Sequence, residues 1–224
     1  GQTWSELINI TEQIKKPEWE LCMVGPGSGI TLSDGTLVFP AQYQDKNEVP
    51  HSTILYSIDH GQTWHFGTGA KPKTTESQVV ELSDGSLMLN MRDDRGGARA
   101  VAITHDLGKT WTEHETSRKA LPEPVCNAVF IKTAVEITGK KQSVLLLVNP
   151  NSTKARHMMT LRASLDEGKT WPDEYQVLLD EETGFGYPNL TMVDENTIGV
   201  LYESSQAHMT FQKIKISELL KIEY

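Results

Sequence analysis

The sequence predicts an all-β chain folded as a β-propeller of about four blades. Two observations support this prediction: a turn motif that ends in tryptophan recurs along the chain, and short β-rich runs lie between its copies. Helical periodicity is scarce, and only residues 217–222 are typical of a helical turn. Short strands that return about every fifty residues, each group with a similar turn, are typical of a propeller with about one blade per repeat.

The turn motif has the pattern Ser/Thr-x-Asp-x-Gly-x-Thr-Trp. Full copies occupy residues 57–64, 104–111 and 164–171, and residues 1–4 match its second half. Aligned on their glycines, successive copies lie 60, 47 and 60 residues apart. The aspartate can accept hydrogen bonds from nearby backbone N–H groups, the glycine can take a positive φ, and the tryptophan can pack between strands. We therefore expect the tryptophans of the three full copies at equivalent hairpin corners.

A second, weaker repeat predicts where strands begin. Ser-Asp-Gly followed by apolar or alternating residues occurs at 33–38 and 83–88, and 194–199 is a degenerate third copy. The predicted strands are residues 53–57, 78–82, 86–91, 100–104, 125–132, 143–148 and 197–202. The predicted blades span roughly residues 28–64, 76–111, 125–171 and 187–213.

Composition excludes several classes of protein. The 21 basic residues against 30 acidic ones give a net charge of −9, so the chain lacks the basic field that nucleic-acid binding needs. No apolar run approaches the roughly 18 residues of a membrane-spanning helix. Two cysteines, Cys22 and Cys126, are too few for a disulfide framework or a metal-site spacing. We expect both as small buried side chains, which could pair only if the fold brought them together.

The turn motif resembles the Asp-box (BNR repeat), a signature of bacterial-type exo-sialidases, or neuraminidases, and of related propellers. The resemblance implies a six-bladed β-propeller in a complete domain. It also implies that Asp59, Asp106 and Asp166 hold hairpins at the blade periphery and take no part in catalysis. The family uses three arginines, a Tyr–Glu couple and an aspartate that acts as acid and base. The remaining motifs can be compared with that set.

Two segments near the second predicted blade resemble the family's Glu and second-arginine segments. Residues 75–82 resemble the segment that carries the Glu partner of the tyrosine, which indicates Glu76, and they lead into 86–92, which ends in Arg92. Glu76 and Arg92 lie sixteen residues apart on either side of one hairpin, so both can point to the propeller axis. Arg95 and Arg99 compete with Arg92 for the substrate-binding role. Arg92 is preferred because it ends the strand.

Two later segments resemble the family's third-arginine and tyrosine segments. Residues 149–156 precede a strand that runs into the third full turn motif, which indicates Arg156 and leaves Arg162, deeper in that strand, as structural. Gly-Phe-Gly-Tyr-Pro-Asn-Leu at 184–190 is similar to the segment of the nucleophilic tyrosine, which indicates Tyr187. Tyr202 is expected to be a core residue.

The resemblance implies a retaining exo-α-sialidase, a glycoside hydrolase. Arg92 and Arg156 hold the carboxylate of sialic acid, Tyr187 attacks the anomeric carbon, and Glu76 takes the phenolic proton. An arginine suits a carboxylate because its guanidinium is a charged fork of donors. No metal or organic cofactor is implied. The implied partners are sialylated glycans, glycoproteins or gangliosides. Since these lie outside the cytosol, the implied location is extracellular, periplasmic or cell-surface.

The chain departs from the family pattern in two ways. The first arginine, in a motif of the Arg-Ile-Pro type, and the Asp acid/base are missing from it. We therefore expect residues 1–224 to be the C-terminal part of the propeller catalytic domain, with about two N-terminal blades supplied by upstream sequence or by a second chain. Two alternatives remain: a trans-sialidase that uses the same residues, and a non-catalytic Asp-box propeller that binds glycans.

Overall fold

The computed structural model describes residues 1–137, 139–206 and 208–222. Four antiparallel sheets follow one another along this part of the chain, and a two-stranded ribbon lies beside them. Only two short α-helices, Thr11–Ile14 (α1) and Ile216–Leu220 (α2), and one 3-10 turn, Asp173–Tyr175, are found in the described residues. The predicted all-β propeller arrangement of four blades is confirmed.

The strands of the first blade are Leu21–Val24 (β1), Ile30–Thr31 (β2), Leu37–Gln44 (β3), Pro50–Ser57 (β4), His65–Phe66 (β5) and Lys71–Pro72 (β6). Their order is β1-β3-β4-β5, with β2 paired to β3 and β6 to β4. The strands of the second blade are Thr74–Glu81 (β7), Leu87–Asp93 (β8), Ala100–Thr104 (β10) and Thr112–Glu113 (β11). Their order is β7-β8-β10-β11. Gly97–Ala98 (β9) pairs with Pro122–Glu123 (β12) in the separate ribbon.

The third blade is a meander of Val129–Ile137 (β13), Lys140–Pro150 (β14), Met159–Ser164 (β15) and Gln176–Asp180 (β16). The fourth blade has Pro188–Asp194 (β17), Thr197–Tyr202 (β18) and Thr210–Lys215 (β19). Three predicted boundaries were wrong. The first blade begins at β1, before residue 28, and extends to β6, beyond residue 64, and the outer strand of the third blade lies beyond residue 171. In all three places the edge strand is short and carries none of the repeat residues that marked the other strands.

Each interior blade is buried on both faces, and this packing stacks the blades. Successive residues of a strand point to opposite faces. Val79 therefore packs with Ile54 of the first blade, whereas Val80 packs with Phe130 of the third. A third apolar cluster joins the third and fourth blades and includes Leu146 and Val200, both fully buried. The apolar layers between blades fix the angular position of each inner strand around the axis.

The Asp-box turns link the two outer strands of the first three blades. Asp59 shows the pattern: Oδ1 accepts from the Thr63 backbone N–H at 2.9 Å and Oδ2 from the Thr63 hydroxyl at 2.6 Å, and the Ser57 hydroxyl donates to Oδ1 at 2.8 Å. Asp106 and Asp166 make the same set of bonds. Their carboxylates thus serve their own turns, which agrees with the structural role expected for them.

The tryptophans follow these turns at equivalent chain positions but make different contacts. Trp64 Nε1 donates to the Gly61 carbonyl at 3.1 Å, whereas Trp111 Nε1 reaches across to the Thr68 carbonyl of the first blade at 3.0 Å. Trp171 packs against Phe130, with 6.3 Å between ring centroids. The indoles lie at the outer corners, as expected, and Trp111 also joins its blade to the first blade.

Both cysteines are free thiols, but only one of them is buried as expected. Cys126 is fully buried, whereas Cys22 is only half-buried because it lies on β1, at the edge of the first sheet. Among the residues that the structure describes, no group of His, Cys, Asp or Glu side chains could hold a metal ion. No helix in that part of the chain is long and apolar enough to cross a membrane.

Candidate active site

Four side chains from three blades meet at one end of the inner strands. Glu76 lies on β7, Arg92 near the end of β8, Arg156 in the loop before β15, and Tyr187 directly before β17. Between Thr74 and Ser77 the pairing of β7 with β8 shifts register, so that two residues of β7 lie opposite one residue of β8. Such a bulge redirects a side chain. It sets Glu76 opposite Arg92.

Tyr187, Glu76 and Arg92 form a closed triangle of hydrogen bonds. The Tyr187 hydroxyl donates to Glu76 Oε1 at 2.6 Å. Arg92 Nη1 donates to Glu76 Oε2 at 2.8 Å and to the Tyr187 hydroxyl oxygen at 3.1 Å. The Glu76 and Arg92 side chains are only 16% and 21% exposed, so these charge-assisted bonds are partly shielded from water. The expected hydrogen bond from Tyr187 to Glu76 is present.

The triangle keeps the Tyr187 phenol protonated. Burial, followed by the hydrogen bond and the negative charge of Glu76, raises the pKa of Tyr187 to about 12, and the charge of Arg92 opposes this only in part. Burial by itself would lower the pKa of Arg92, but its hydrogen bond and ion pair with Glu76 outweigh burial and raise that pKa. Tyr187 can therefore act as a nucleophile near neutral pH only if its proton passes to a partner, and Glu76 is in contact with it.

Arg156 approaches the same tyrosine from the third blade. Its guanidinium carbon lies 5.5 Å from the centre of the Tyr187 ring. Arg156 Nη1 donates to the Phe185 carbonyl at 2.9 Å and Nη2 to the Val125 carbonyl at 3.3 Å. Among the described residues no carboxylate lies within ion-pair distance of Arg156. Backbone carbonyls orient this cation while leaving its charge available to an anionic ligand.

Known proteins that are similar to this chain match it along nearly its whole length. Residues 1–206 match the model of the BNR repeat-like domain family. The chain is 56% identical over 221 residues to a sialidase of Bacteroides fragilis (strain YCH46), and the match covers 99% of this chain and 41% of that protein. The chain belongs to the sialidase family. A sialidase of Micromonospora viridifaciens is 33% identical over 210 residues, 91% of this chain and 32% of that protein.

Solved structures extend this comparison to the fold. The Hadza microbial sialidase Hz136 superimposes with a TM-score of 0.91 at 53% identity, covering 98% of this chain and 42% of that one. An intramolecular trans-sialidase from Ruminococcus gnavus superimposes with a TM-score of 0.80 at 25% identity, covering all of this chain and 50% of that one. The chain thus spans about two fifths of the Bacteroides relative and half or less of these two structures.

Gly186 allows the chain to bring Tyr187 close to Arg156. Its φ is +88°, which L side chains rarely adopt, and an added Cβ would lie 3.1 Å from Cys126 Sγ and 3.2 Å from Arg156 Cβ. The Gly186 N–H donates to the Glu203 carbonyl at 3.1 Å, which ties the segment to the end of β18. In the Gly-x-Gly sequence the second position therefore requires glycine, because a side chain there would be strained and crowded.

The three competing arginines contact other groups or are buried. Arg95 forks onto Asp93, with Nε and Nη2 at 2.7 and 2.6 Å from its two oxygens. Arg99 is fully buried and pairs with Glu123 at 2.6 Å. Arg162 is buried within β15, and burial lowers its pKa to about 10. None of the three points to the Tyr187 hydroxyl, in agreement with the preference for Arg92 and Arg156.

Tyr202 is a buried residue of the apolar cluster between the third and fourth blades, as expected. Its hydroxyl donates to the Leu179 carbonyl at 3.2 Å.

One residue near the site was missed by sequence reasoning. Asp94 Oδ1 lies 3.9 Å from Arg92 Nε, an atom that is buried and has no hydrogen-bond partner in the described chain. Burial raises the pKa of Asp94, although the charge of Arg92 opposes the shift. The signal available in the sequence was an acidic residue two positions after the candidate arginine. The sequence does not show whether the Asp94 side chain faces Arg92, because the geometry of the turn after the strand decides its direction.

Proposed function

We propose that the protein containing this chain is a retaining exo-α-sialidase that removes terminal sialic acids from glycoconjugates through a tyrosine nucleophile. One observation carries the proposal: the Tyr187 hydroxyl donates to Glu76 at 2.6 Å, beside two arginines from different blades. Membership in the sialidase family supports the same activity.

In this proposal the arginines bind the carboxylate of the sugar. Arg156 is held by two backbone carbonyls, and no carboxylate among the described residues neutralises it, which favours an anionic ligand. Arg92 contributes a second cation and at the same time contacts the nucleophile. Two guanidinium forks suit a planar carboxylate better than ammonium groups would, because they donate in a fixed bidentate geometry.

In the first chemical step Tyr187 Oη forms a bond to the anomeric carbon while its proton passes to Glu76 Oε1. The bond from that carbon to the leaving oxygen breaks, and an acid protonates the oxygen. A phenol suits the step because the carboxylate of the substrate would repel an aspartate or glutamate nucleophile, and sialidases are a known exception to carboxylate nucleophiles. We assign the acid, and a third arginine implied by the family, to the protein outside these residues.

In the second step water attacks the same carbon. The former acid accepts a proton from this water, and the Tyr187 oxygen leaves and recovers its proton from Glu76. Two successive inversions retain the configuration at the anomeric carbon. No step in this scheme uses a metal or an organic cofactor.

The proposal is tested by hydrolysis of an aryl sialoside by the full gene product, with and without Tyr187→Phe. We expect the variant to lose turnover while keeping its melting temperature, because only one partly exposed hydroxyl is removed. Tyr202→Phe is the matched control: it removes a hydroxyl buried between the third and fourth blades, and turnover should persist. Wild-type turnover in Tyr187→Phe would refute the assignment of the nucleophile.

A second candidate is transfer of the sialosyl group to a sugar hydroxyl, or to a hydroxyl of the same sialic acid, in place of water. The Ruminococcus gnavus neighbour, described as an intramolecular trans-sialidase, supports it through its fold and identity. Mass spectrometry of the products separates the candidates, because free sialic acid indicates hydrolysis, whereas an anhydro product or a new sialoside indicates transfer. The glycan-binding alternative predicts no turnover.

The setting of the enzyme is also a proposal. We propose that it acts on sialylated glycans, glycoproteins or gangliosides outside the cytosol, so that cell fractionation should find it in the extracellular, periplasmic or surface fraction. We further propose that residues 1–224 form the C-terminal part of the propeller catalytic domain. The missing blades would come from the same gene product or from a second chain, and denaturing electrophoresis of the native enzyme distinguishes these sources.

A further inference from the structure

A buried ion pair lies beneath the candidate site and takes no part in the proposed chemistry. Arg99 and Glu123 are each 0% exposed and are joined at 2.6 Å. Arg99 Nε also donates to Asn90 Oδ1, on the strand that carries Arg92. Among the described residues, Arg99 Nη2 and Glu123 Oε1 have no hydrogen-bond partner. A buried pair with unsatisfied atoms contributes little to stability, so stability alone does not explain it.

The pair binds both backbone polar groups of one residue, Cys126. Arg99 Nη1 donates to the Cys126 carbonyl at 3.0 Å, and Glu123 Oε2 accepts from the Cys126 N–H at 3.4 Å. The preceding residue, Val125, has φ +58°. A β-branched residue rarely adopts that conformation, which persists only where the surroundings enforce it. We call Val125 and Cys126 the 125–126 turn.

The 125–126 turn contacts two of the four site segments. The Val125 carbonyl accepts from Arg156 Nη2 at 3.3 Å. Cys126 Sγ donates to the Gly186 carbonyl at 3.3 Å, directly before Tyr187. The turn therefore touches the cation of the third blade and the tyrosine segment of the fourth, and it is held by residues that precede both.

We propose that the Arg99–Glu123 pair is a positioning device, which fixes the 125–126 turn and thereby sets Arg156 against the Tyr187 ring. The role rests on the proposed sialidase function. Neither Arg99 nor Glu123 touches substrate. Both act through the turn, on binding of the carboxylate by Arg156 and on alignment of the nucleophile. The strained Val125 carbonyl points at Arg156 only while the backbone N–H and carbonyl of Cys126 are held.

The decisive variant removes both charges together, Arg99→Met with Glu123→Leu. Replacing a buried pair by apolar side chains of similar volume is often neutral for stability, whereas removing one partner leaves an unpaired buried charge. We therefore expect a folded protein with a melting temperature near that of wild type. Because the hydrogen bonds to Cys126 are lost, kcat/KM for an aryl sialoside should fall about 10- to 100-fold, mostly through a higher KM.

Two further variants separate positioning from packing. Glu123→Gln keeps the shape and an acceptor for the Cys126 N–H, so its loss in kcat/KM should be smaller than that of the double variant. The control is Lys132→Met with Glu167→Gln, which removes an ion pair of 3.5 Å at the other end of the inner strands. Its kcat and KM should stay within about twofold of wild type, a change equivalent to less than half a kcal/mol.

A crystal structure of the double variant gives a readout that needs no turnover. We expect the 3.3 Å contact of Arg156 with the Val125 carbonyl to be lost and the guanidinium to move from its 5.5 Å position over the Tyr187 ring. Wild-type kinetics with both contacts unchanged would overturn the inference. If the wild-type protein itself does not hydrolyse sialosides, the proposed function fails. The distances from Arg156 to the Val125 carbonyl and to the Tyr187 ring then decide by themselves whether the Arg99–Glu123 pair positions the site. If the double variant does not fold, the same comparison is made with Arg99→Lys, which keeps a charge opposite Glu123 but loses the donor fork that holds the Cys126 carbonyl.

Discussion

Replacing Glu76 by glutamine tests how Tyr187, the proposed nucleophile, is activated. The amide has nearly the same shape, so the hydrogen bond with Tyr187 can persist, but it cannot accept the phenolic proton. With the pKa of Tyr187 raised to about 12, only about one phenol in 10⁵ is ionised at pH 7, too few to replace proton transfer to Glu76. Loss of a general base typically lowers kcat by about 10²- to 10⁴-fold, and we expect Glu76→Gln to fall in that range.

The kcat of Glu76→Gln should rise with pH. Burial and the negative charge of Glu76 both raise the pKa of Tyr187, so replacing that charge with a neutral amide should lower the pKa below about 12. Ionisation by solvent then becomes the route to the nucleophile, and kcat of the variant should rise up to about tenfold per pH unit above neutrality. Tyr187→Phe has no phenol and should show no such rise.

The assay is steady-state hydrolysis of an aryl sialoside between pH 5 and about 10, within the range in which the fold persists by circular dichroism. Glu81→Gln is the matched control. It lies on the same strand, but its carboxylate accepts from the Ser33 backbone N–H and hydroxyl at 3.0 and 2.7 Å, away from Tyr187. Its kcat should match that of wild type. An unchanged kcat in Glu76→Gln at pH 7 would show that Glu76 is not the base.

Three further predictions follow from single contacts. Arg156→Lys keeps the charge but loses the donor fork, so KM for the sialoside should rise about tenfold or more with little change in melting temperature, and an unchanged KM would exclude Arg156 from substrate binding. Gly186→Ala puts a Cβ at φ +88° within 3.1 Å of Cys126 Sγ, so urea denaturation should show a loss of about 1–2 kcal/mol or more, and undiminished stability would contradict this steric reading. The backbone N–H and hydroxyl of Thr110 lower the pKa of Asp106 to about 2 in the folded protein. The ionised carboxylate therefore stabilises the fold above the pKa that Asp106 has in the unfolded chain, and this stabilisation is lost as the pH falls toward 2. Asp106→Asn should accordingly reduce the drop in melting temperature between about pH 4 and 2.

The sequence determined the turns well because each turn motif contains, within a few residues, all the groups that form the turn. An Asp-box contains its own donors, acceptor and positive-φ glycine, so Asp59 bonds to Thr63 four positions later. Repetition of that unit then indicated the blades. Edge strands such as β1 and β16 were misjudged because they are short and lie outside the repeat.

The candidate residues were indicated by resemblance, but their contacts depend on the tertiary structure. Tyr187 and Glu76 are 111 residues apart, and only the stacked blades bring the phenol within 2.6 Å of the carboxylate. The bulge in β7 that sets Glu76 opposite Arg92 is a shift of strand register, which no short segment encodes alone.

The buried support beneath the site left no signal in the sequence. Arg99 was read there as a competitor for substrate, since its charge was visible and its burial was not. The positive φ of Val125 opposes the local preference of a β-branched residue, and it is held by Arg99 and Glu123, which pair across 24 positions. Local propensity sets the turns and strands of this protein, whereas packing between blades decides which charges are buried, which backbone is strained and which side chains meet.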